Sequence, residues 1–301
     1  MALQLLSGHL DARLGAGLAR LFSTGVMKEL AQRGYSAIAA RILDECRLAP
    51  LLDPSMCLSD FFEGLARLLF HSYRNEYIYK NAIANKVLLG KHSLNTSFML
   101  TEFRAGNCRA DVVILNGTSS VYEIKSEFDK LDRLKRQISA YRLLFDHIHV
   151  ITSADQIERV RAEVEESVGL MVLTDSYTIS TDRPSQSMKR HVDQGVIFDS
   201  LRQHEYKRIV MKEFGLVPDV PNTRIYRECK DLFCRLRPET AHDAMVSVLR
   251  RRGNCRSVRD FVTSVPPSLK ALSLSCKLSP REQTAFLSVL NTDIGHCIAS
   301  I

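Results

Sequence analysis

Asp111, Glu123 and Lys125 fall close together in the stretch ADVVILNGTSSVYEIKS. Two apolar runs flank a polar Asn-Gly centre, which reads as a β-hairpin. In a strand, residues two apart share a face, so Glu123 and Lys125 project together while Tyr122 and Ile124 face the other way. A connection of three residues (Asn116 to Thr118) or five (Leu115 to Ser119) sets Asp111 opposite Glu123. One of four turns it to the wrong face, because a one-residue slip flips every side chain. The sequence leaves that length open. In the favourable register two carboxylates and a lysine converge. Such oxygens suit a hard cation, Mg2+ or Mn2+, bound by one or two carboxylates together with water and phosphate. The ion would polarise a phosphodiester and activate water, and the lysine would orient that water or stabilise charge building on phosphorus. An isolated E-x-K is more often a solvated strand of alternating charge, so the surroundings decide.

The elements that must hold these residues can be read from periodicity. DFFEGLARLLFHSYRNEYIYKNAIANKVLLG has a helical period, as two helices or as one bent near His71 to Asn75. From about Ser97 the period becomes two: SFMLTEFRA, ADVVIL, SVYEIK and HIHVIT are short β-rich runs. DKLDRLKRQISAYRLLF is amphipathic, with Ser126 and Asp129 as an N-terminal capping pair. DQIERVRAEVEES is a further helix, VGLMVLT a buried strand, and STDRPSQSMKR a looser stretch that closes the unit. The order α, β, β, β, α, β, α, β predicts an α/β fold with a mixed sheet flanked by helices.

Asp111, a hairpin, then Glu123-x-Lys125 resembles the PD-(D/E)XK nuclease superfamily, with Ala110 in place of the loosely kept proline. Glu76, on the helix before the sheet, matches the acidic residue that such nucleases often carry there. Gln137 and Tyr141, in QISAY, resemble the Q-x-x-x-Y motif of RecB-type members, and residues four apart share a helix face. Residues 60–155 look most like a largely uncharacterised bacterial PD-(D/E)XK-like family. The resemblance implies a restriction-endonuclease-like αβββαβ core. It implies an Mg2+/Mn2+-dependent deoxyribonuclease with Asp111, Glu123 and Glu76 as metal ligands, Lys125 activating water, and Gln137 and Tyr141 positioning the strand. It leaves open a silent nucleic-acid-binding module, a homodimer, and a subunit activated by a partner protein in anti-phage defence or mobile-element biology.

Composition sets limits. The chain has 301 residues, 45% apolar and 25% charged, with a net charge of +7, an ordinary globular balance. Nothing resembles a membrane span or a signal peptide, so a cytoplasmic location is expected. The eight cysteines show no C-x-x-C pair and read as reduced, mostly buried thiols; a zinc site on Cys229 and Cys234 is disfavoured by spacing. Residues 200–260 hold 14 Lys or Arg against 8 Asp or Glu, which suits a polyanion or simply a solvated helical surface. Candidate phosphate contacts are Arg109, Arg133, Lys135, Arg136, Lys189, Arg190, Arg250, Arg251 and Arg252. Glu102, on the strand before Asp111, either adds a ligand or contacts a basic neighbour, or it is an exposed edge residue. Tyr73, Tyr77 and Tyr79 are candidates for base stacking, with core packing favoured for at least two of them. Three regions are expected: helical residues 1–58, a nuclease core at 59–180, and a mostly helical, basic region at 181–301.

Overall fold

The computed structural model describes residues 10–91, 94–252 and 256–298. Its centre is a six-stranded sheet in sequence order, β1 (Phe98–Ala105), β2 (Cys108–Leu115), β3 (Ser119–Lys125), β4 (His147–Thr152), β5 (Gly169–Leu173) and β6 (Ile179–Arg183). β1, β2 and β3 form an antiparallel meander, β3, β4 and β5 run parallel, and β6 returns antiparallel. The sheet is mixed and the fold is α/β with helical elements at both ends. β6 lies in the stretch read as loose from sequence, where exposed Ser180, Thr181 and Asp182 give no apolar alternation.

One face of the sheet packs on α1 (Ala12–Ala19), α2 (Thr24–Arg33), α3 (Ala37–Glu45), α4 (Leu58–Ser72) and α5 (Glu76–Ala82). The opposite face carries α6 (Leu134–Arg142), α7 (Ile157–Glu163), α8 (Gln194–Ser200), α9 (Gln203–Phe214), α10 (Asn222–Phe233) and α11 (Pro238–Leu249). The last helices, α12 (Arg256–Ser264), α13 (Lys270–Ser275), α14 (Pro280–Leu290) and α15 (Ile294–Ile298), return to the first face and share its core with the N-terminal helices. Residues before 72 and after 256 thus complete one layer together.

Several boundaries follow their sequence signals. Gly34 ends α2 in the left-handed region at φ 77°, which a residue without Cβ adopts freely. α14 begins with Ser279, Pro280 and Glu282 in a capping box. The chain breaks between α4 and α5 at Tyr73 to Asn75, inside the predicted bend. α5 continues into a π-helical stretch, Ile83–Leu88, that periodicity did not reveal. α6 starts at Leu134, later than expected. Ser126 and Asp129 do bond, with the Ser126 amide and hydroxyl both donating to Asp129 Oδ2 at 2.8 and 2.6 Å, but they close a turn rather than cap the helix.

Candidate functional site

The β2–β3 ladder runs from Leu115↔Ser119 to Val112↔Tyr122, so the connection is the three residues Asn116–Thr118. Continuing that register places Asp111 across from Glu123. The ladder ends there: the Ile124 amide donates to the Asp111 carboxylate at 2.8 Å instead of to a strand carbonyl. β2 stays with β1 while β3 leaves with β4, and the split opens a notch around the acidic side chains.

A second irregularity shapes the same notch. Glu102 has φ 53°, a left-handed value unusual for a residue with a Cβ. The pairs Thr101↔Val112 and Phe103↔Ala110 straddle it. Met99 and Val112 belong to the core on one face of the sheet, whereas Phe103, Ala105, Cys108 and Ala110 belong to the core on the other. The β1–β2 hairpin thus rolls over at Glu102 and Asp111. The roll brings Glu102 to the helix side, where Glu76, Glu102 and Asp111 offer oxygens all within 4.8 Å of one another.

Glu123 and Lys125 lie under α6 and are nearly sealed from solvent, 1% and 6% exposed. Each buried charge has partners, as burial demands. Lys125 Nζ donates to Glu123 Oε1 at 2.6 Å and to Gln137 Oε1 at 2.9 Å. Tyr141 Oη lies 2.6 Å from Glu123 Oε2 and 2.8 Å from the Arg109 carbonyl; its single proton favours the carboxylate, because charge-assisted bonds are the stronger. Gln137 lies close enough to Glu123 to favour its charged form. The strand end is pinned from β4: Thr152 Oγ1 donates to the Lys125 carbonyl at 2.7 Å.

These placements set the electrostatics. Burial, and then the charge of Glu123, push Asp111 up to about 8. Burial also raises Glu123, although Lys125, Tyr141 and Gln137 oppose the shift. Burial, and then Glu123, hold the Tyr141 phenol far above its usual range, so it stays a donor. Lys80 bridges Glu76 and Glu102. Burial works against its charge, but Glu76 and Glu102 outweigh that and raise its pKa.

The donor set fits a hard divalent cation. All the ligand atoms are carboxylate oxygens, and Lys80 shows that the place already draws positive charge. With bonds of about 2.1 Å, neighbouring ligands of such an ion stand about 3 Å apart and opposite ones about 4.2 Å, so the trio would have to close in to share one ion. The trio includes Glu102, where the sequence pointed to Glu123; Glu123 neighbours Asp111 but commits its oxygens to Lys125 and Tyr141. Lys80 was not singled out in the sequence; its i, i+4 spacing from Glu76 on α5 is the signal that marks it. Glu102 was noted in the sequence, but its left-handed backbone carries no sequence mark.

Tyr141 is fully buried and cannot touch a nucleic-acid strand; it and Gln137 position Glu123 and Lys125. Of the basic candidates, Arg109, Arg133, Arg136 and Arg251 are exposed, and Arg250 borders a crevice with Arg259. Arg252 makes a two-pronged pair with buried Glu205, both bonds 2.6 Å, so it serves the fold. Lys135 pairs with Glu163, Lys189 with Asp243 and Arg190 with Glu239. Tyr79 is buried, Tyr77 stacks on Phe22, and Tyr73 stacks on exposed Phe128. Among the seven described cysteines, all free, Cys108, Cys229, Cys276 and Cys297 are buried, in line with mostly buried thiols, whereas Cys46 and Cys57 are half-buried and Cys234 is exposed; Cys255 lies outside the described residues.

The fold and site define a mixed α/β protein with an acidic notch opened at the end of a split β-ladder. The chain belongs to the bacteriophage P4 protein cII family, whose sequence profile matches residues 70–268. That span holds the whole sheet and every residue of the notch. Protein cII of Enterobacteria phage P4 is 30% identical over 86 residues, which are 28% of this chain and 33% of that protein. The match therefore spans about a third of that relative's length. Among solved structures, the SPO1766 protein of unknown function from Silicibacter pomeroyi aligns over 55% of this chain and 94% of its own, at 15% identity and a TM-score of 0.31.

Proposed function

We propose that this protein is a metal-dependent nuclease of the PD-(D/E)XK type that hydrolyses phosphodiester bonds in DNA. One observation carries the reading: the three-residue hairpin register that faces Asp111 toward Glu123, with Lys125 on the same side as Glu123. The order α5, β1, β2, β3, α6, β4 supports a restriction-endonuclease-like core. Asp111, Glu76 and Glu102 would hold Mg2+ or Mn2+, with Glu123 adjoining. The ion would supply polarisation of the phosphodiester and activation of water. The protein's own residues do the rest. Lys125, fixed by Glu123 and Gln137, presents an ammonium to the charge that builds on phosphorus. Tyr141 and Gln137 keep Glu123 in one orientation, and exposed Arg109, Arg133 and Arg136 supply phosphate contacts that carry no sequence choice.

Lys80 favours a second reading. Its ammonium already occupies Glu76 and Glu102, which suits a site silent until DNA or a partner protein draws it away. A relative from a phage fits mobile-element biology. Cleavage of plasmid and linear DNA in Mg2+ and Mn2+ tests the proposal. Wild type should cut, and Asp111→Ala and Lys125→Ala should lose activity by at least about a hundredfold. Equal behaviour of all three proteins across both ions and several substrates would sink it.

A further inference from the structure

Phe128 is the exposed large apolar side chain nearest in sequence to Lys125, at 51% exposure. Its loop is held firmly. Ser126 and Asp129 close a turn around it, and Gln156 Nε2 donates to the Ser126 and Glu127 carbonyls at 3.2 and 3.0 Å. The exposed ring is thus presented by a fixed backbone. It stacks on Tyr73 with centroids 4.5 Å apart and planes 26° from parallel. Tyr73 is itself fixed: it rests on α1 at Gly15, where an added Cβ would come within 2.5 Å of the Tyr73 Cγ. Only a glycine lets the ring sit so close.

Through Tyr73 the pair adjoins the Glu76 and Lys80 side of the acidic cluster. Tyr73 is three residues before Glu76, and Phe128 is three residues after Lys125. A cleft of about 370 Å³ runs from Tyr73 along Glu76 and Lys80, a volume in the range of small-ligand sites. Lys130, Arg133 and Arg136 follow Phe128 in the same segment, are exposed, and make no ion pair among the described residues. An exposed aromatic platform beside basic side chains is the combination that holds unpaired nucleotides, because every base has a face to stack. A base inside a duplex already stacks on its neighbours and cannot use it.

We propose that Phe128, backed by Tyr73, is a base-stacking platform at the mouth of the notch, and that the preferred substrate is a DNA strand with unpaired nucleotides there. This rests on the nuclease reading for its place in catalysis, but not for its test. The full-length protein is titrated in EDTA with a single-stranded oligonucleotide carrying 2-aminopurine, and with the matching duplex. Wild type should bind the single strand more tightly and quench the probe. Phe128→Ala should lose about tenfold in single-strand affinity, the effect of one stacked base, and lose the quench, with duplex binding unchanged. Phe128→Leu should behave like alanine, and Phe128→Tyr should keep both. The proposal is overturned if wild type binds neither DNA, if Phe128→Ala binds and quenches like wild type, or if it weakens single strand and duplex equally. Quenching that depends on Phe128 in a protein that never cuts would remove the nuclease and leave the platform. Cleavage that ignores Phe128 would do the reverse.

Discussion

Asp111 holds its proton at neutral pH because burial and Glu123 both oppose its charge. An unfolded chain ionises the same carboxyl near 3.9. Between those values the folded state binds the extra proton, so the stabilising contribution is complete below about 4 and is lost as pH rises toward about 8. Without added ions, the stability of wild type minus that of Asp111→Asn should fall across that window in urea titrations; a flat difference would remove the assigned shift. On the proposed reading an ion bound at Asp111 must expel that proton, so apparent Mn2+ affinity by calorimetry should climb up to about pH 8 and level off. Tyr141→Phe leaves Glu123 without the phenol's hydrogen bond. We expect cleavage to drop about tenfold through kcat, with DNA affinity unchanged, since the buried phenol meets no substrate. An equal loss of affinity would assign Tyr141 to binding.

At the scale of elements, Glu102 tests whether the rolled hairpin is strained. A non-glycine residue at positive φ costs about 1 kcal/mol. Glu102→Gly should therefore be about 1 kcal/mol more stable than Glu102→Ala, although both lack the carboxylate; in an ordinary strand the order reverses. Arg252 pairs with Glu205, which is 3% exposed. Arg252→Ala strands a buried charge and should cost about 3 kcal/mol by denaturation, whereas Arg251→Ala should spare stability and lower the salt dependence of DNA binding. The sequence made the hairpin and the α4–α5 break legible, because each rests on local spacing or turn chemistry. It hid the late start of α6, because Leu131 continues the apolar stripe while the Ser126–Asp129 turn holds the backbone out of the helix. It hid the pairing of Arg252 as well, since Glu205 lies 47 residues away and only tertiary packing joins them.

Across the whole molecule, α11 is fastened to the sheet by His242, whose Nε2 lies 2.7 Å from Ser119 Oγ. Burial lowers its pKa, with Asp243 and Asp146 opposing. The folded state favours the neutral ring, so its contribution is complete above about 6.5 and is lost as pH falls toward the depressed value. Denaturation midpoints should fall from pH 7 to 5.5, and more steeply for wild type than for His242→Gln; parallel lines would dismiss the role. The one layer shared by both ends of the chain has another consequence. The Ser36 amide bonds the Cys297 carbonyl at 3.0 Å, Leu58 bonds Thr292 at 3.0 Å, and Cys57 bridges Asp293. On the ribosome the helices before residue 72 are made early, yet their apolar faces stay uncovered until residues 256–298 have emerged. A chain broken off before residue 256 keeps that apolar surface exposed, open to chaperones and proteases.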